Sequence, residues 1–273
     1  MSIKKLLGLG CWVWVPPLFS WDANGHVLIT QLTYTYLTPQ TKAWLHAYTK
    51  TQTPAELNQT SIWLDKHRYG RYKQFSRWHY INIPYGDKRF FKPPYNTNLI
   101  TAIHDARASL SSSTTSIVEK RFAIRVLIHC IEDLHQPLHT ISYYSKRYKH
   151  GDKGATLWKI NNKIYKGNLH HFWDNAGGWL SGLTWHNSNQ VALKLKELKM
   201  KPCDWRNIKV EPEVWAKESY ELARLKAYFP PRSTKKFAIY QDNVQQYSKN
   251  QIQVAACHLA ATLNQIKMVS RTY

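Results

Sequence analysis

Residues 129–139 read His-Cys-Ile-Glu-Asp-Leu-His-Gln-Pro-Leu-His, which brings imidazoles and a carboxylate together at close spacing. His129 and Asp133 are four residues apart, so a helix would project both side chains from one face. Pro137 forces such a helix to end or bend, and His139 follows two residues later. Imidazole nitrogens and carboxylate oxygens that converge at a helix end are ligands that Zn²⁺ accepts. The stretch therefore predicts part of a zinc site.

A second pair repeats this spacing, because His170 and Asp174 are also four residues apart. Taken singly, the remaining candidates are weak: Asp65 with Arg68 would usually form a surface ion pair, and His79 would usually be a core histidine. Together with the two spaced pairs, they instead predict a zinc-dependent hydrolase. The candidate ligands that lie upstream of residue 129 are Trp21, His26, Asp65 and His79.

The first twenty residues predict a cleaved signal peptide. Two lysines precede an apolar run from Leu6 to Val15, which is too short to span a bilayer, and small Ser20 ends the segment. Cleavage after Ser20 would give Trp21 a free α-amine with a pKa of ~7.7–8.0. That amine and the Trp21 carbonyl could chelate a metal, with His26 reaching back to it. We therefore expect a secreted or periplasmic protein without stable membrane insertion, and a retained membrane anchor is the alternative.

Charge limits the class of partner. The 273 residues include 38 Lys and Arg against 17 Asp and Glu, a formal net charge of +21. Loss of residues 1–20 removes two lysines and no acid, which leaves a net charge of +19. Such a surface attracts polyanions such as nucleic acid, or anionic membranes. The hydrophobic content of 43% excludes a globally disordered chain.

Residues 21–273 are predicted to form a single, mainly helical domain. Apolar residues at steps of three and four predict helices in the segments that begin at Trp215 and Ile252, and residues 99–110, 122–134 and 189–198 have helical patterns as well. Leu157–Tyr165 predicts a short β-hairpin, and residues 83–98, rich in Pro, Tyr and Asn, predict a surface loop. The sequence does not predict an oligomeric state.

Cysteine pairing stays open. After cleavage the chain would retain Cys130, Cys203 and Cys257, an odd number that permits one disulfide and one free thiol, or no disulfide. Thiolate ligation of zinc is not expected, because no Cys-x-x-Cys spacing is present.

The segments Asp-Leu-His-Gln-Pro-Leu-His and Asn-Leu-His-His-Phe-Trp-Asp make the pattern specific. With them, the chain resembles the zinc-dependent, single-strand-preferring nucleases of fungi, plants and bacteria, which belong to the zinc phospholipase C superfamily. The resemblance implies an all-α fold and three zinc ions. It assigns the first ion to Asp65, His79, His129 and Asp133, the second to the Trp21 amine and carbonyl with His26 and Asp133, and the third to His139, His170 and Asp174.

The resemblance also implies a reaction. A hydroxide shared by the first two zinc ions would attack phosphorus in line, and the third zinc would stabilise the leaving 3′-oxygen, so that products carry 5′-phosphates. Asp65, Arg68 and Asp133 would be the catalytic residues, with Arg68 neutralising the transition state. Tyr80 would stack on a base of single-stranded DNA or RNA, and Asn82 would contact the base edge. Whether 3′-nucleotides are substrates as well stays open.

Several positions depart from the pattern of these nucleases. Asn82 replaces an aspartate, which puts base preference in doubt, and Gly154-Ala155-Thr156 replaces a Gly-Gly-Asn loop. Glu132 replaces a glycine and could face either the metal ligands or solvent. His135 is expected to support the ligands without binding metal. Histidines predicted to be structural or on the surface are His67, His104, His150, His171, His186 and His258.

Two other functions compete with a nuclease. An exported zinc phospholipase C would share the metal plan, although relatives of that branch carry Glu where this chain has Asp174. A non-enzymatic, basic nucleic-acid-binding protein would use the same histidines and aspartates structurally, and it would bind no zinc.

Overall fold

The computed structural model describes residues 21–51, 53–68 and 70–266, so the predicted signal peptide lies outside the described residues. Its architecture is mainly helical, as the sequence predicted. Ten α-helices run through the described residues: α1 (Ala23–Tyr36), α2 (Pro39–Thr49), α3 (Pro54–Ser61), α4 (Trp63–His67), α5 (Leu99–Ser111), α6 (Ile117–Leu134), α7 (Leu169–Asp174), α8 (Ser188–Glu197), α9 (Pro212–Leu222) and α10 (Thr234–Gln265).

Local signals in the sequence fix both ends of α6. A capping box begins the helix: the Ser116 hydroxyl accepts from the Glu119 N–H, and the Glu119 carboxylate accepts from the Ser116 N–H. The helix ends at Leu134, before Pro137, whose ring could not continue it. A 3₁₀ turn over Pro137–His139 follows directly. The predicted change of direction between Asp133 and His139 is therefore present.

Helix α6 lies at the centre of the protein. It packs against α5, α10 and α3, and every residue from Val126 to Leu134 is buried. Residues 126–134 have no solvent-facing side, so the one histidine and two carboxylates in this stretch must find partners inside the protein. Among the described residues, no helix has both the length and the apolar composition that crossing a bilayer requires.

Two short strand pairs complete the fold. β1 (Ile83–Gly86) pairs in parallel with β2 (Ile141–Tyr144), and β3 (Lys159–Asn161) pairs antiparallel with β4 (Lys166–Asn168). The predicted hairpin is present, although its second strand lies after Tyr165 rather than before it. The prediction of a surface loop over residues 83–98 is wrong at its start. Strand β1 forms there because it pairs with a distant segment, and local composition does not encode that pairing.

A disulfide links Cys203 to Cys257 and ties the segment before α9 to the long helix α10. Cys130 is a buried free thiol inside α6. The structure thus selects one disulfide and one free thiol from the arrangements that the sequence left open. Helix α10 begins at Thr234, well before the apolar stripe that starts at Ile252.

Candidate metal centre

The end of α6 supplies the middle of a buried polar cluster. His129 and Asp133 lie on one face of the helix, with 3.0 Å between His129 Nε2 and Asp133 Oδ2. The 3₁₀ turn after the helix brings His139 back, so that His139 Nδ1 lies 3.6 Å from Asp133 Oδ1. All three side chains are at most 3% exposed. Asp133 therefore lies between the two histidines that its neighbouring sequence provides.

Three other segments add candidate ligands from the amino-terminal third of the chain. His26 on α1 places its Nε2 atom 3.4 Å from Asp133 Oδ1 and 3.7 Å from Asp65 Oδ2 on α4. His79 ends a 3₁₀ segment, and its Nδ1 atom lies 3.1 Å from Asp133 Oδ2. Asp65 does pair with Arg68, as considered, but the pair is buried rather than on the surface, since the two side chains are only 7% and 9% exposed.

Helix α7 completes the cluster. His170 Nε2 lies 3.6 Å from Asp174 Oδ2 across one helical turn, and His139 Nε2 lies 3.8 Å from Asp174 Oδ1. The rings of His139 and His170 are stacked with centroids 5.0 Å apart. The structure therefore gathers all eight predicted His and Asp side chains. They form three groups whose ligand atoms lie within 4.8 Å of one another: His26, His129 and Asp133; Asp65, His79 and His129; and His139, His170 and Asp174.

Three of these histidines are oriented by acceptors outside the cluster. His26 Nδ1 lies 2.6 Å from Glu132 Oε2. His129 Nδ1 lies 2.7 Å from the Ser61 carbonyl, and His170 Nδ1 lies 2.6 Å from the Gly154 carbonyl. The two carbonyl oxygens can only accept, so Nδ1 of His129 and His170 donates a proton to them, and Nε2 of each ring faces the cluster. This arrangement is typical of metal-binding histidines.

Other atoms of the cluster fit a bound cation. Within the described part of the chain, His139 has no hydrogen-bond partner at either buried nitrogen, and neither has His79 Nε2. Buried polar atoms of this kind are nearly always hydrogen-bonded. Burial lowers the pKa of His139 to about 3, against the opposing effect of Asp133, and burial lowers that of His170 to about 4. Both rings are therefore neutral at pH 7 and able to donate a lone pair.

The surroundings of Asp174 also favour a bound cation. Burial raises its pKa well above the ordinary value, and the carboxylates of Asp22 and Asp133 add to the effect. A metal ion in contact with such a carboxylate would reverse this shift, because the ion becomes the largest local charge. The donor set of imidazole nitrogens and carboxylate oxygens suits Zn²⁺.

Glu132 faces the cluster rather than solvent. Its side chain is fully buried, and one carboxylate oxygen contacts His26 while the other accepts from the Thr30 hydroxyl at 2.6 Å. Its backbone carbonyl accepts from the indole N–H of Trp21 at 3.1 Å, which holds the start of the described chain beside the cluster. In the uncleaved chain the Trp21 nitrogen is the amide that links it to residue 20, which lies outside the described residues. In the sequence, only the adjacency of Glu132 to Asp133 indicated that its side chain could lie at the cluster.

A cleft of about 720 Å³, here called the histidine cleft, leads to the cluster. Arg68, Tyr80 and Asn82 line it, as do ligand candidates His139 and His170. The Arg68 side chain is 9% exposed, and its Nη1 atom lies 3.5 Å from Asp65 Oδ1. The three predicted catalytic or substrate-contacting residues that are not also candidate metal ligands therefore all line this cleft.

Sequence reasoning missed further residues of the histidine cleft. Lys92, Tyr95 and Lys153 line it, and so does His150, which is exposed as predicted and also borders this cleft. His150 Nδ1 lies 3.3 Å from Lys92 Nζ. The sequence indicated little about Lys92 and Lys153 in particular, because isolated lysines in loops are usually solvated. Only the fold shows that they border one cavity.

His135 does not support the ligands as predicted. Its Nδ1 atom donates to the Ile131 carbonyl at 2.7 Å, and its Nε2 atom lies 2.8 Å from His258 Nδ1. The carbonyl fixes the His135 proton on Nδ1, so His258 donates to Nε2. Trp215 stacks on the His258 ring with centroids 4.2 Å apart. This pair belongs to the packing of α6 against α10, because its helical position turns His135 away from the cluster.

Residues 21–268 match the family model described as S1/P1 Nuclease. The chain belongs to the S1/P1 nuclease family. Endonuclease 2 of Arabidopsis thaliana is 28% identical over 178 residues, which cover 59% of this chain and 57% of the relative. Nuclease P1 of Penicillium citrinum is 25% identical over 167 residues, 56% of this chain and 57% of the relative. The chain thus spans a little over half the length of these two relatives.

A longer alignment joins the chain to a third relative. Endonuclease 5 of Arabidopsis thaliana is 29% identical over 227 residues, which cover 71% of this chain and 74% of the relative. Membership in the S1/P1 nuclease family confirms the resemblance inferred from the ordered ligands and agrees with the mainly helical fold.

Proposed function

We propose that this chain is an exported, zinc-dependent endonuclease that hydrolyses single-stranded DNA and RNA and leaves 5′-phosphate ends. Membership in a nuclease family supports hydrolysis of nucleic acid. The observation that carries the metal part of the proposal is the orientation of His26, His129 and His170. Each has its outer nitrogen held by an acceptor while its inner nitrogen faces carboxylates.

The donor set divides into three proposed zinc sites. Bound zinc would supply Lewis acidity toward a phosphate and would lower the pKa of water toward ~7. Three Zn²⁺ bring six positive charges against the three aspartates, so the loaded centre would attract a phosphodiester. The proposed ligands are Asp65, His79, His129 and Asp133 for one ion; the Trp21 amine and carbonyl, His26 and Asp133 for another; and His139, His170 and Asp174 for the third.

Arg68 is proposed to bind the non-bridging phosphate oxygens. Its guanidinium is buried at the cleft wall and is oriented by the Asp65 carboxylate, so it presents a fixed fork of N–H donors to a phosphate. Donors that are already positioned can stabilise charge as it develops on the phosphate oxygens. Asp65 has a second role in this scheme, because it holds Arg68 as well as metal.

Tyr80 is proposed to select single strands. Its half-buried ring borders the histidine cleft beside ligand candidate His79. A base can stack on that ring only when its face is free, which a duplex does not allow. Lys92 and Lys153 line the same cleft and would attract neighbouring phosphates. Stacking tolerates any base, so the arrangement accommodates DNA and RNA of varied sequence.

The chain offers a matched pair of variants to test the proposal. His170→Ala removes a proposed ligand, whereas His171→Ala removes the exposed histidine beside it. Protein that begins at Trp21 should hydrolyse single-stranded DNA and RNA faster than duplex DNA, and a chelator should abolish the activity. His170→Ala should lose more than 95% of turnover, roughly the size expected for a lost metal ligand. It should also lose about one zinc per chain by elemental analysis, while His171→Ala keeps both.

Other outcomes would assign another function. Hydrolysis of phosphatidylcholine without hydrolysis of nucleic acid would indicate the phospholipase C alternative. A zinc-free protein that binds oligonucleotides without cleaving them would indicate the non-enzymatic alternative. Export and the terminal chelate have a separate test: a variant with extra residues before Trp21 should bind less zinc, and equal zinc content in both forms would contradict the role of the Trp21 amine.

A further inference from the structure

A second cavity of about 610 Å³, here called the aromatic cavity, lies between β2, the β3–β4 hairpin and the turn that follows α9. Trp158, Tyr143 and Phe229 line it. The Trp158 ring meets Phe229 at 5.1 Å and 89°, and it meets Tyr143 at 5.8 Å and 66°. In this arrangement Phe229 stays 57% exposed, so ring surface remains accessible to a planar ligand.

Phe229 is held in an unfavourable position. Its side chain is 57% exposed, and its φ angle of 61° is in the left-handed region that bulky residues avoid. Pro230 follows, and a residue before proline normally adopts an extended conformation. The edge-to-face contacts of Phe229 with Trp158 and Tyr143 leave most of its side chain exposed, and such backbone strain is concentrated at binding and catalytic sites.

The charges around the aromatic cavity have one sign. Arg147, Lys159 and Arg232 line it, and no carboxylate is among its lining residues in the described part of the chain. Aromatic faces bordered by cations bind the bases and phosphates of single-stranded nucleic acid together. The buried Asp152 carboxylate holds Tyr143, which lines the cavity, and its neighbour Tyr228. It accepts from the Tyr143 N–H at 2.8 Å and from the Tyr228 hydroxyl at 3.2 Å.

Strand β2 connects the aromatic cavity to the histidine cleft. Ser142 and Tyr144 line the cleft, whereas Tyr143 and Ser145 line the aromatic cavity, as expected when alternate side chains of a strand point to opposite faces. The loop over residues 145–153 continues around the end of this strand. Four exposed cationic side chains lie on this loop: Lys146, Arg147, Lys149 and Lys153.

We infer that the aromatic cavity is a second polynucleotide site, which binds bases and phosphates of a single strand several nucleotides away from the bond being cleaved. The inference rests on the proposed nuclease function. The strand would leave the histidine cleft, cross the basic loop over residues 145–153 and stack on Trp158 and Phe229. The site therefore favours long substrates over dinucleotides, and it does not affect the chemistry at the metal centre.

Kinetics on two substrate lengths test this inference with the full mature protein. The substrates are the dinucleotide dTpdT and a 30-residue oligo(dT). Phe229→Leu keeps an apolar side chain but removes the ring, and Phe229→Tyr keeps the ring. Phe229→Leu should raise KM for the 30-mer by at least about fivefold, the lower bound for one lost stacking contact, with kcat/KM for dTpdT unchanged. Phe229→Tyr should retain the wild-type KM.

The phosphate contact has a matched control. Arg232→Gln and Arg206→Gln each remove one exposed arginine, but only Arg232 lines the aromatic cavity. For the 30-mer, Arg232→Gln should lower the slope of log KM against log salt by ~0.7, as for one phosphate contact on a single strand, and Arg206→Gln should not. Equal effects of the two substitutions would overturn the inference.

The outcomes separate this inference from the proposed function. If neither dTpdT nor the 30-mer is hydrolysed by the wild type, the nuclease proposal has failed. If both are hydrolysed and Phe229→Leu leaves KM for the 30-mer unchanged, the second site is wrong while the nuclease stands. Weaker binding of Phe229→Leu to phosphatidylglycerol vesicles, with unchanged KM for the 30-mer, would assign this surface to a membrane and overturn the inference.

Discussion

Replacing Glu132 with glutamine should weaken zinc binding at His26 while leaving the fold intact. The carboxylate contacts His26 Nδ1 and the Thr30 hydroxyl, each at 2.6 Å, in a fully buried position. A glutamine carbonyl can still accept from His26, and the amide can donate to the Thr30 hydroxyl, which is able to accept. The substitution therefore removes charge with little change in shape or hydrogen-bond count.

The size of the effect follows from that lost charge. A hydrogen bond that involves an ionised group contributes ~1.5–3 kcal/mol, against ~0.5–1.5 kcal/mol for a neutral pair. A difference of ~1–2 kcal/mol corresponds to a ~5–30-fold weaker zinc affinity, since ~1.4 kcal/mol is a factor of ten. Loss of a partner behind a metal-bound histidine typically costs ~10–100-fold in affinity. The two estimates overlap at ~10–30-fold.

The assay is competition for zinc between the protein and a chelator of known affinity, followed by elemental analysis of the protein. One zinc per chain should leave Glu132→Gln at a ~10–30-fold lower chelator concentration than in the wild type. Thr30→Val is the matched control, because it breaks the other contact of Glu132 and keeps the carboxylate against His26. An affinity within twofold of the wild type for Glu132→Gln would refute the role assigned to this charge.

Three further predictions concern stability. Cys203→Ser should lower the free energy of unfolding by ~4 kcal/mol in guanidinium titration, since the disulfide closes a loop with a sequence separation of 54, and a loss below ~1 kcal/mol would contradict this estimate. Burial, aided by the neighbouring imidazole, lowers the pKa of His258 from 6.5 to about 3. The unfolded chain therefore binds an additional proton between those values, and wild-type stability falls as pH decreases through that window. His258→Gln should show a pH slope shallower by up to ~1.4 kcal/mol per pH unit, and identical slopes would show that this ring does not titrate as described. Gly154→Ala should lower both stability and zinc content. Its φ angle is 61°, and an added Cβ would lie 2.3 Å from the Leu138 carbonyl, so the loop that accepts from His170 must shift. Unchanged melting temperature and zinc content would argue against that constraint.

The candidate ligands could be predicted because their spacing is local. His129 with Asp133, and His170 with Asp174, each lie one helical turn apart, and Pro137 ends the helix before His139. These relations depend only on helix geometry and on the missing N–H of proline. The end of helix α6 was predicted correctly, but its start was predicted at residue 122, whereas the capping box of Ser116 and Glu119 begins the helix at Ile117.

Contacts between distant segments could not be predicted in the same way. The pairing of β1 with β2, the contact of Glu132 with His26 and the partner of His135 all join residues far apart in the chain. Periodicity shows which face of an element is apolar, but it does not show which other element packs there. His135 was misplaced for this reason: its neighbours in sequence are ligands, while its neighbour in space is His258.

By itself, the sequence determined the identity of the donors, the helix that carries His129 and Asp133, the family and the strongly basic charge, because residue type and helical spacing are properties of short segments. The tertiary structure decided that the donors meet in one buried cluster and that Glu132 orients His26. It also decided that one basic loop contributes Arg147 to the aromatic cavity and Lys153 to the histidine cleft. Those features depend on the relative placement of helices and strands, which is set by the packing of the whole core rather than by any one segment.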